Sequence, residues 1–503
     1  MLESLSLLAG GFEIALAPTA LMYAFIGALL GTLTGVLPGI GPASAIAILL
    51  PVVAGSTADP ITATIMLAGI YYGAMYGGST TAILVNIPGE VASVVTTLDG
   101  YQLAKQGKAG VALAVSAIAS FAAGTLSILG LTFFAPPLAK MALQFGPPEY
   151  FGLMTMAFTL VIGLSGTSPL KGLVMAFTGF LITMVGQDPL TAIPRFTFGS
   201  AELLSGINMV PIVVGVFAIG EILSNCEGSK PVVFEKIDRL YPNKDELKAI
   251  TGATARSGIV GFFLGLLPGC TAGAIAFIAY ELEKRFSKNR HLFGKGALDG
   301  VAAAEGSNNA ATSGGFVPLF SLGLPTAPAL AVLLSGLMIY GLEPGPLLFK
   351  EKPEFVWGVI ASMYIGNVML LVLNLPLVGI WARMIQIPYH YLAPLVLTFS
   401  ILGAFGARNS MFDVTVMLTC GVLGYILQRW RYPMAPLILG LVLGPMLEQS
   451  FRQALSMSGG NFAVFVASPI SVVFLTIACG MVAFSLYGIY RGRTGGPLDD
   501  TAN

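Results

Sequence analysis

The chain has 503 residues, of which 55% are hydrophobic and only 10% charged, with a mean hydropathy of +0.83. Soluble domains carry about 25% charged residues, so the composition excludes a soluble globular protein and points to an integral membrane protein. Twenty-five basic residues balance 25 acidic ones, leaving no net field for nucleic acid, and four scattered cysteines with two histidines give neither a disulfide framework nor a zinc cluster.

In chain order, the N-terminal stretch to Ala20 carries only Glu3 and Glu13 as charges and lacks a basic leader, so it reads as a short amphipathic lead-in. The first long apolar run, Leu21 to Val53, is interrupted by LPGIGP at Leu37 to Pro42; a kinked span and a re-entrant hairpin both fit. Ile61 to Ile87 follows and contains the most informative stretch, Tyr71 to Glu90, YYGAMYGGSTTAILVNIPGE. Its glycines, hydroxyls and Pro-Gly weaken a helix. In hydrocarbon, freed backbone groups persist only where protein or a wet cavity satisfies them, so a broken element near the bilayer midplane is expected.

The polar piece from Glu90 to Gly110 reads as a hairpin partner or surface helix, and Ala109 to Ala135 as a span. APPLAKMALQFGPPEY reads as a loop or interfacial segment. Further spans are expected at Phe151 to Leu164, Lys171 to Val185 and Ile207 to Leu223, with QDPLTAIPRFTFGS as a turn-rich connection. Asn225 to Thr254 is hydrophilic and contains Lys230, Lys236, Arg239, Lys244 and Lys248. It divides the chain into a first half, 1–224, a cytoplasmic linker, 225–255, and a second half, 256–503. A second basic cluster spans Lys284 to Lys295; with Arg491 and Arg493 it belongs on the cytoplasmic side. One apolar run between two basic clusters on one side must enter and return. Later spans are expected near Pro328 to Tyr340, Phe355 to Leu375, Tyr391 to Phe405, Val414 to Leu427, Ala435 to Met446 and Phe462 to Tyr490. The fold class is an all-α polytopic membrane protein with about 10 to 12 transmembrane helices plus re-entrant or broken pieces.

The breaks occur twice. GTLTGVLPGIGPASAIAI (31–48) aligns without gaps on GFFLGLLPGCTAGAIAFI (261–278), and GGSTTAILVNIPG, ending at Gly89, answers GGFVPLFSLGLPT, ending at Thr326. Motifs at 31–48 and 71–100 are thus echoed at 261–278 and 298–328. Paired interruptions in corresponding halves are the sequence pointer to a secondary-transporter site, and the charge distribution favours two repeats of inverted topology.

Helix ends at such breaks offer N–H donors and positive dipole ends to a carboxylate. The candidate substrate-binding residues are Gly39, Gly41, Asn86, Pro88, Gly89, Gly269, Thr271, Ser307, Asn308, Asn309, Thr312, Pro325 and Thr326. Oxygen-bearing groups suited to a hard cation are Ser79, Thr80, Thr81, Glu305 and Ser313. Glu90, Asp99 and Asp299 are each a cation ligand, a proton site or an interfacial residue. No Arg or Lys lies in the motif cores, so an anion would be held by dipoles, amides and co-bound cations. An intramembrane enzyme lacks its signatures here: there is no GxSxG, no HExxH and no paired histidines. A channel or a structural scaffold are the remaining alternatives.

These motifs, with AGIYYGAMYGGSTTAILVNIPGE, TTLDGYQLAKQGKAG, FGPPEYFGL and GVAAAEGSNNAATSGGFVPLFSLGLP, make the chain resemble the large membrane subunit of the tripartite tricarboxylate transporter family, the TctA family, over nearly its whole length. The resemblance implies a multi-pass protein of the bacterial inner membrane that takes up small carboxylates, tricarboxylates included, by cation-coupled symport. It further implies two partners, a small four-helix membrane subunit and a periplasmic solute-binding protein. The coupling ion would be Na+ or H+, and alternating access would be of elevator type on a homodimeric scaffold. The chain departs from the family pattern at Ala304, often Pro, and at Thr326, often Gly.

Overall fold

The computed structural model describes residues 2–37, 41–57, 59–163, 168–188, 190–225, 239–385 and 389–490. Pro38 and Gly39 of the first break, the linker stretch 226–238 and the C-terminal Arg491 and Arg493 lie outside the described residues. The described chain is helical apart from one short antiparallel pair, Gly186–Gln187 with Pro194–Arg195. The first half contains α1 (Leu2–Ala15), α2 (Pro18–Val36), α3 (Pro42–Ser56), α4 (Pro60–Val85), α5 (Val94–Lys105), α6 (Ala109–Ala142), α7 (Pro147–Gly163), α8 (Pro169–Thr183), α9 (Met209–Val213) and α10 (Gly220–Asn225). The second contains α11 (Lys244–Gly265), α12 (Ala272–Phe286), α13 (Leu298–Gly314), α14 (Phe316–Leu322), α15 (Pro328–Ile339), α16 (Pro346–Glu351) and α17 (Pro353–Asn374). It continues with α18 (Val378–Met384), α19 (Tyr389–Arg408), α20 (Met411–Arg429), α21 (Met434–Met457), α22 (Val464–Ala467) and α23 (Pro469–Tyr490). Among the described residues, α2, α6, α17, α20 and α21 are long and apolar enough to cross a membrane, alongside several shorter apolar helices. The chain is an all-α polytopic membrane protein.

Two expectations are corrected. The Tyr71 to Glu90 stretch is not broken throughout: α4 runs unbroken through its glycines and stops only at Asn86. The glycines serve close packing instead. A Cβ at Gly31 would lie 2.4 Å from the Ile70 carbonyl oxygen, one at Gly35 2.3 Å from that of Ala74, and one at Gly77 2.5 Å from that of Thr32. No side chain fits between α2 and α4, so they meet backbone to backbone, as small residues permit in membranes. Likewise, the segment after Ala135 is not a loop: α6 continues through Pro136 and Pro137 to Ala142. Two prolines remove two backbone donors, but Ala135, Ala139 and Ala142 are buried in one stripe that holds the last turns in place.

The second half reproduces this seam in the register the sequence alignment gives. A Cβ at Gly261 would lie 2.3 Å from the Ser307 carbonyl oxygen, at Gly265 2.5 Å from that of Ala311, and at Gly314 2.6 Å from that of Phe262. Partner residues rise together in both seams, so α2 runs parallel to α4 and α11 to α13.

Each interrupted run doubles back. The Tyr23 hydroxyl donates to the Ser56 carbonyl at 2.7 Å, tying the start of α2 to the end of α3. Arg256 Nε and Nη2 donate to both Glu283 oxygens at 2.8 and 2.7 Å, tying α11 to α12. Both pairs are therefore helical hairpins. From Arg256 to the end of α11 the arm extends about 15 Å at 1.5 Å per residue, about half of a typical hydrocarbon core.

The rest of the chain braces these units. Tyr76 donates to Asn367 Oδ1 at 2.6 Å, and Asn367 Nδ2 donates to Phe121 O and Thr125 Oγ1, both at 2.9 Å, which joins α4, α17 and α6. A further glycine seam joins α8 to α21: a Cβ at Gly179 would lie 2.1 Å from Leu437 O, and one at Gly440 2.2 Å from Ala176 O. Arg195 bonds Glu448 at 2.6 Å and Arg452 bonds Asp188 at 2.5 Å, pinning the connection after α8 to α21.

Gly35→Leu should destabilise the protein by about 3 kcal/mol or more, because the side chain has no room without parting α2 from α4. Gly366→Ala, whose Cβ would meet nothing within 4 Å, should leave stability unchanged or slightly raised. Thermal unfolding followed by size-exclusion in detergent checks both, and equal melting of wild type and Gly35→Leu would contradict the seam.

Candidate functional site

The breaks are built from helix ends. α4 stops at Asn86, which adopts a left-handed conformation (φ 58°), and α14 stops at Gly323 in the same conformation (φ 70°). Asn is one of the few non-glycine residues that tolerates this region. Beyond Asn86 the chain folds back: Gly89 N–H donates to Gly78 O at 3.4 Å, and a Cβ on Gly89 would lie 2.4 Å from Gly35 O. Glu90 then caps the helical turn Val91–Ser93, its Oε2 accepting from Ala92 N–H at 2.6 Å.

In the second half, Gly269 turns the chain between α11 and α12 with φ 85°, and its N–H donates to Thr326 O at 3.2 Å. Thr271 caps α12 by accepting from Ala274 N–H at 3.3 Å. Two positions later a Cβ on Gly273 would lie 3.0 Å from Val91 O and 2.9 Å from Val91 Cγ1. The turn around Gly269 thus touches the break after α14 in its own half and the segment after Glu90 in the other. Gly41, which starts α3, makes no side-chain cap, and a Cβ there would meet nothing within 4 Å.

Beneath these turns lies one polar face of α13. Glu305, Asn308 and Asn309 are at most 1% exposed. Asn308 Nδ2 donates to Glu90 Oε1 at 3.2 Å, and Asn309 Nδ2 to Ser120 Oγ at 2.8 Å and to Glu305 O at 3.2 Å. The Thr96 hydroxyl donates to Glu305 Oε1. Three buried oxygens on this face have no hydrogen-bond partner: Glu305 Oε2, Asn308 Oδ1 and Asn309 Oδ1. Tyr72 donates to Ser313 Oγ at 2.8 Å, while Glu90, beyond the end of α4, meets Asn308 earlier on α13. The two long helices therefore run antiparallel to each other.

With this geometry in hand, the chain can be set against known proteins. The sequence profile described as "Tripartite tricarboxylate transporter TctA family" matches residues 21–439. The chain belongs to the tripartite tricarboxylate transporter TctA family. An uncharacterised 52.8 kDa protein encoded in the TAR-I ttuC' 3' region of Agrobacterium vitis is 46% identical over 495 residues, covering 98% of both chains. A second uncharacterised protein of that organism, from the TAR-II ttuC' 3' region, is 42% identical over 233 residues, 46% of this chain and 96% of the relative. No solved structure matches. As a TctA protein the chain is the large membrane subunit of a tripartite transporter and not an enzyme.

In this TctA chain the residues singled out from sequence fall into distinct places. Asn86 is exposed, Pro88 half-buried and Gly89 buried at the first loop; Gly269 and Thr271 sit at the hairpin turn that Thr326 touches; Pro325 is buried beside it. Gly39 lies outside the described residues. Asn308, Asn309 and Glu305 share the α13 face. The hydroxyls are otherwise engaged: Ser79 donates to Tyr76 O, Thr81 to Gly78 O, Ser307 to Ala304 O and Thr312 to Asn308 O, all within their own helices. Ser313 accepts from Tyr72, and Thr80 is buried in α4.

Sequence reasoning left Glu90 out of the site and missed Thr96 and Ser120. The available signal was Ser116, Ser120 and Ser127 on one face of α6, the face that meets α13, where Ser127 donates to Ala310 O at 2.6 Å. Asp99 is a latch: it accepts from Tyr280, Gly296 N–H and Ala297 N–H at 2.8, 2.8 and 2.9 Å, fastening α5 to the start of α13.

If Asn86 is present for its backbone, Asn86→Gly keeps both folding and transport, whereas Asn86→Val loses folded protein because a β-branched residue resists positive φ. If its amide touches solute, Asn86→Gly keeps folding and loses transport. Expression and melting beside uptake by the reconstituted system separate these outcomes; the left-handed cap predicts the first.

Proposed function

We propose that this subunit imports a small carboxylate through the region where the breaks of its two halves converge, by alternating access coupled to a cation gradient. The observation that carries the reading is the junction at Gly269, Thr326 and Val91, where turns from both halves meet among helix ends. Two features of it suit an anion. The uncapped start of α3 and the start of α12 present backbone N–H groups and positive dipole ends, and no Arg or Lys occurs in the motif cores. The carboxylate would be held by these donors beside Asn86, Gly89 and Thr271.

The same contacts support an inverted-topology repeat. α2–α3–α4 and α11–α12–α13 share one packing register, and α4 runs antiparallel to α13. Because each hairpin is joined to its long helix by backbone contact, each unit would move as a body, which favours an elevator-type or rocking movement over local rearrangement. The family membership supports working with a small membrane subunit and a periplasmic solute-binding protein in the bacterial inner membrane. The basic segments near Lys244 and Lys284 would face the cytoplasm.

Vesicles containing this chain and the small subunit, supplied with the binding protein, test the reading. Accumulation of a labelled di- or tricarboxylate should require the binding protein and an inward Na+ or H+ gradient. Asn309→Ala should cut it strongly while the protein still inserts and folds. Flux at electrical rates without the binding protein would instead indicate a channel and contradict the proposal.

A further inference from the structure

We propose that the α13 face under Glu90 is a binding site for one monovalent hard cation of Na+ size, with Glu305 Oε2, Asn308 Oδ1 and Asn309 Oδ1 as its ligands. It rests on the transport reading only in identifying this ion with the coupling ion.

The case is a count of donors and acceptors. Every nearby donor already has an acceptor. Asn308 Nδ2 is held by Glu90 Oε1, Asn309 Nδ2 by Ser120 Oγ and Glu305 O, the Thr96 hydroxyl by Glu305 Oε1, and the Ser120 hydroxyl by Glu305 O at 3.4 Å. Three acceptors remain, on side chains at most 1% exposed. Rotating either amide by half a turn does not help. It would set Asn308 Oδ1 against the Glu90 carboxylate and Asn309 Oδ1 against the Glu305 carbonyl, and both of those groups only accept.

A proton on Glu305 would repair the deficit only in part. It would satisfy Oε2 and one amide oxygen and leave the other amide unpaired. A cation satisfies all three at once, and buried acceptors without partners are rare because they are costly. Residues 305, 308 and 309 lie on one helical face, since positions three and four apart are neighbours.

The ligand chemistry narrows the ion. All three donors are oxygens, with neither sulfur nor imidazole among them, which suits hard cations and not transition metals. One carboxylate with two neutral amides balances a single positive charge, whereas Ca2+ favours six to eight oxygens with several carboxylates. Glu90, bonded to Asn308 and to Ala92 N–H, orients the first amide; Thr96 orients the carboxylate. Glu90 also begins the turn whose Val91 meets Gly273. Filling or emptying the site would therefore be felt where the two halves touch.

The test uses the purified full chain in detergent, without partners or carboxylate. Saturable binding of radioactive 22Na+ and a rise in melting temperature in NaCl over choline chloride at equal ionic strength are expected. Glu305→Gln and Asn309→Ala should abolish both the binding and the Na+-dependent increment. Should those variants fail to fold, Thr96→Val, which removes only the group orienting the carboxylate, should fold and weaken Na+ binding about tenfold. No saturable Na+ binding by wild type, or an undiminished increment in the variants, overturns the site. Stabilisation that follows pH and ignores Na+ overturns it in favour of a proton on Glu305. Carboxylate uptake without Na+ binding would remove the site and spare the transport reading; Na+ binding without uptake of any carboxylate would do the reverse.

Discussion

The architecture depends on one contact made twice, the backbone-to-backbone approach of a hairpin arm to a long helix. At Gly31 and Gly35 in the first half, and at Gly261 and Gly265 in the second, the neighbouring carbonyl stands where a Cβ would be. Lipid offers no hydrophobic drive for helix association, so dispersion at such short range is what holds these helices together. The same contact explains an apparent contradiction in the sequence. A helix rich in glycine ought to fray, yet α4 is regular through Gly73, Gly77 and Gly78 because those positions face α2 and the folded-back loop.

A tight seam also fixes where the chain must break. Each hairpin arm lies against its long helix up to the turn, and each long helix ends in a left-handed residue, Asn86 or Gly323, followed by an apolar residue and a proline. The turns come together because α4 and α13 run in opposite directions while sharing hydrogen bonds. Polar groups accumulate there for the same reason. Serines on α6, Thr96 on α5 and the amides of α13 meet in an interior whose backbone is already satisfied by helix, which leaves side chains to balance one another.

Much of this was legible in the sequence. The paired Leu-Pro-Gly interruptions and the Asn86-to-Gly89 echo at Gly323 to Thr326 located the hairpins, the repeat and the helix ends, because proline and glycine act locally. The continuous course of α4 and of α6 past Pro137 was not legible, because local propensity was overruled by burial against helices distant in sequence. For the candidate site, Glu305, Asn308 and Asn309 stood out as polar residues in an apolar setting. Thr96 and Ser120 did not, since a lone hydroxyl in a membrane helix usually bonds its own backbone, as Ser79 and Thr81 do here. Only the three-dimensional pairing shows which hydroxyls face a carboxylate.

The convergence of the two halves is tested most directly by cross-linking in native membranes. In a background with Cys226, Cys270, Cys420 and Cys479 replaced, the pair Val91→Cys and Gly273→Cys sits where a Cβ on residue 273 would lie 2.9 Å from the side chain of residue 91. Mild oxidation should join the two rapidly, and uptake should stop until the bond is reduced. If both thiols react with a small maleimide yet never join to each other, the turns of the two halves do not meet and the account fails.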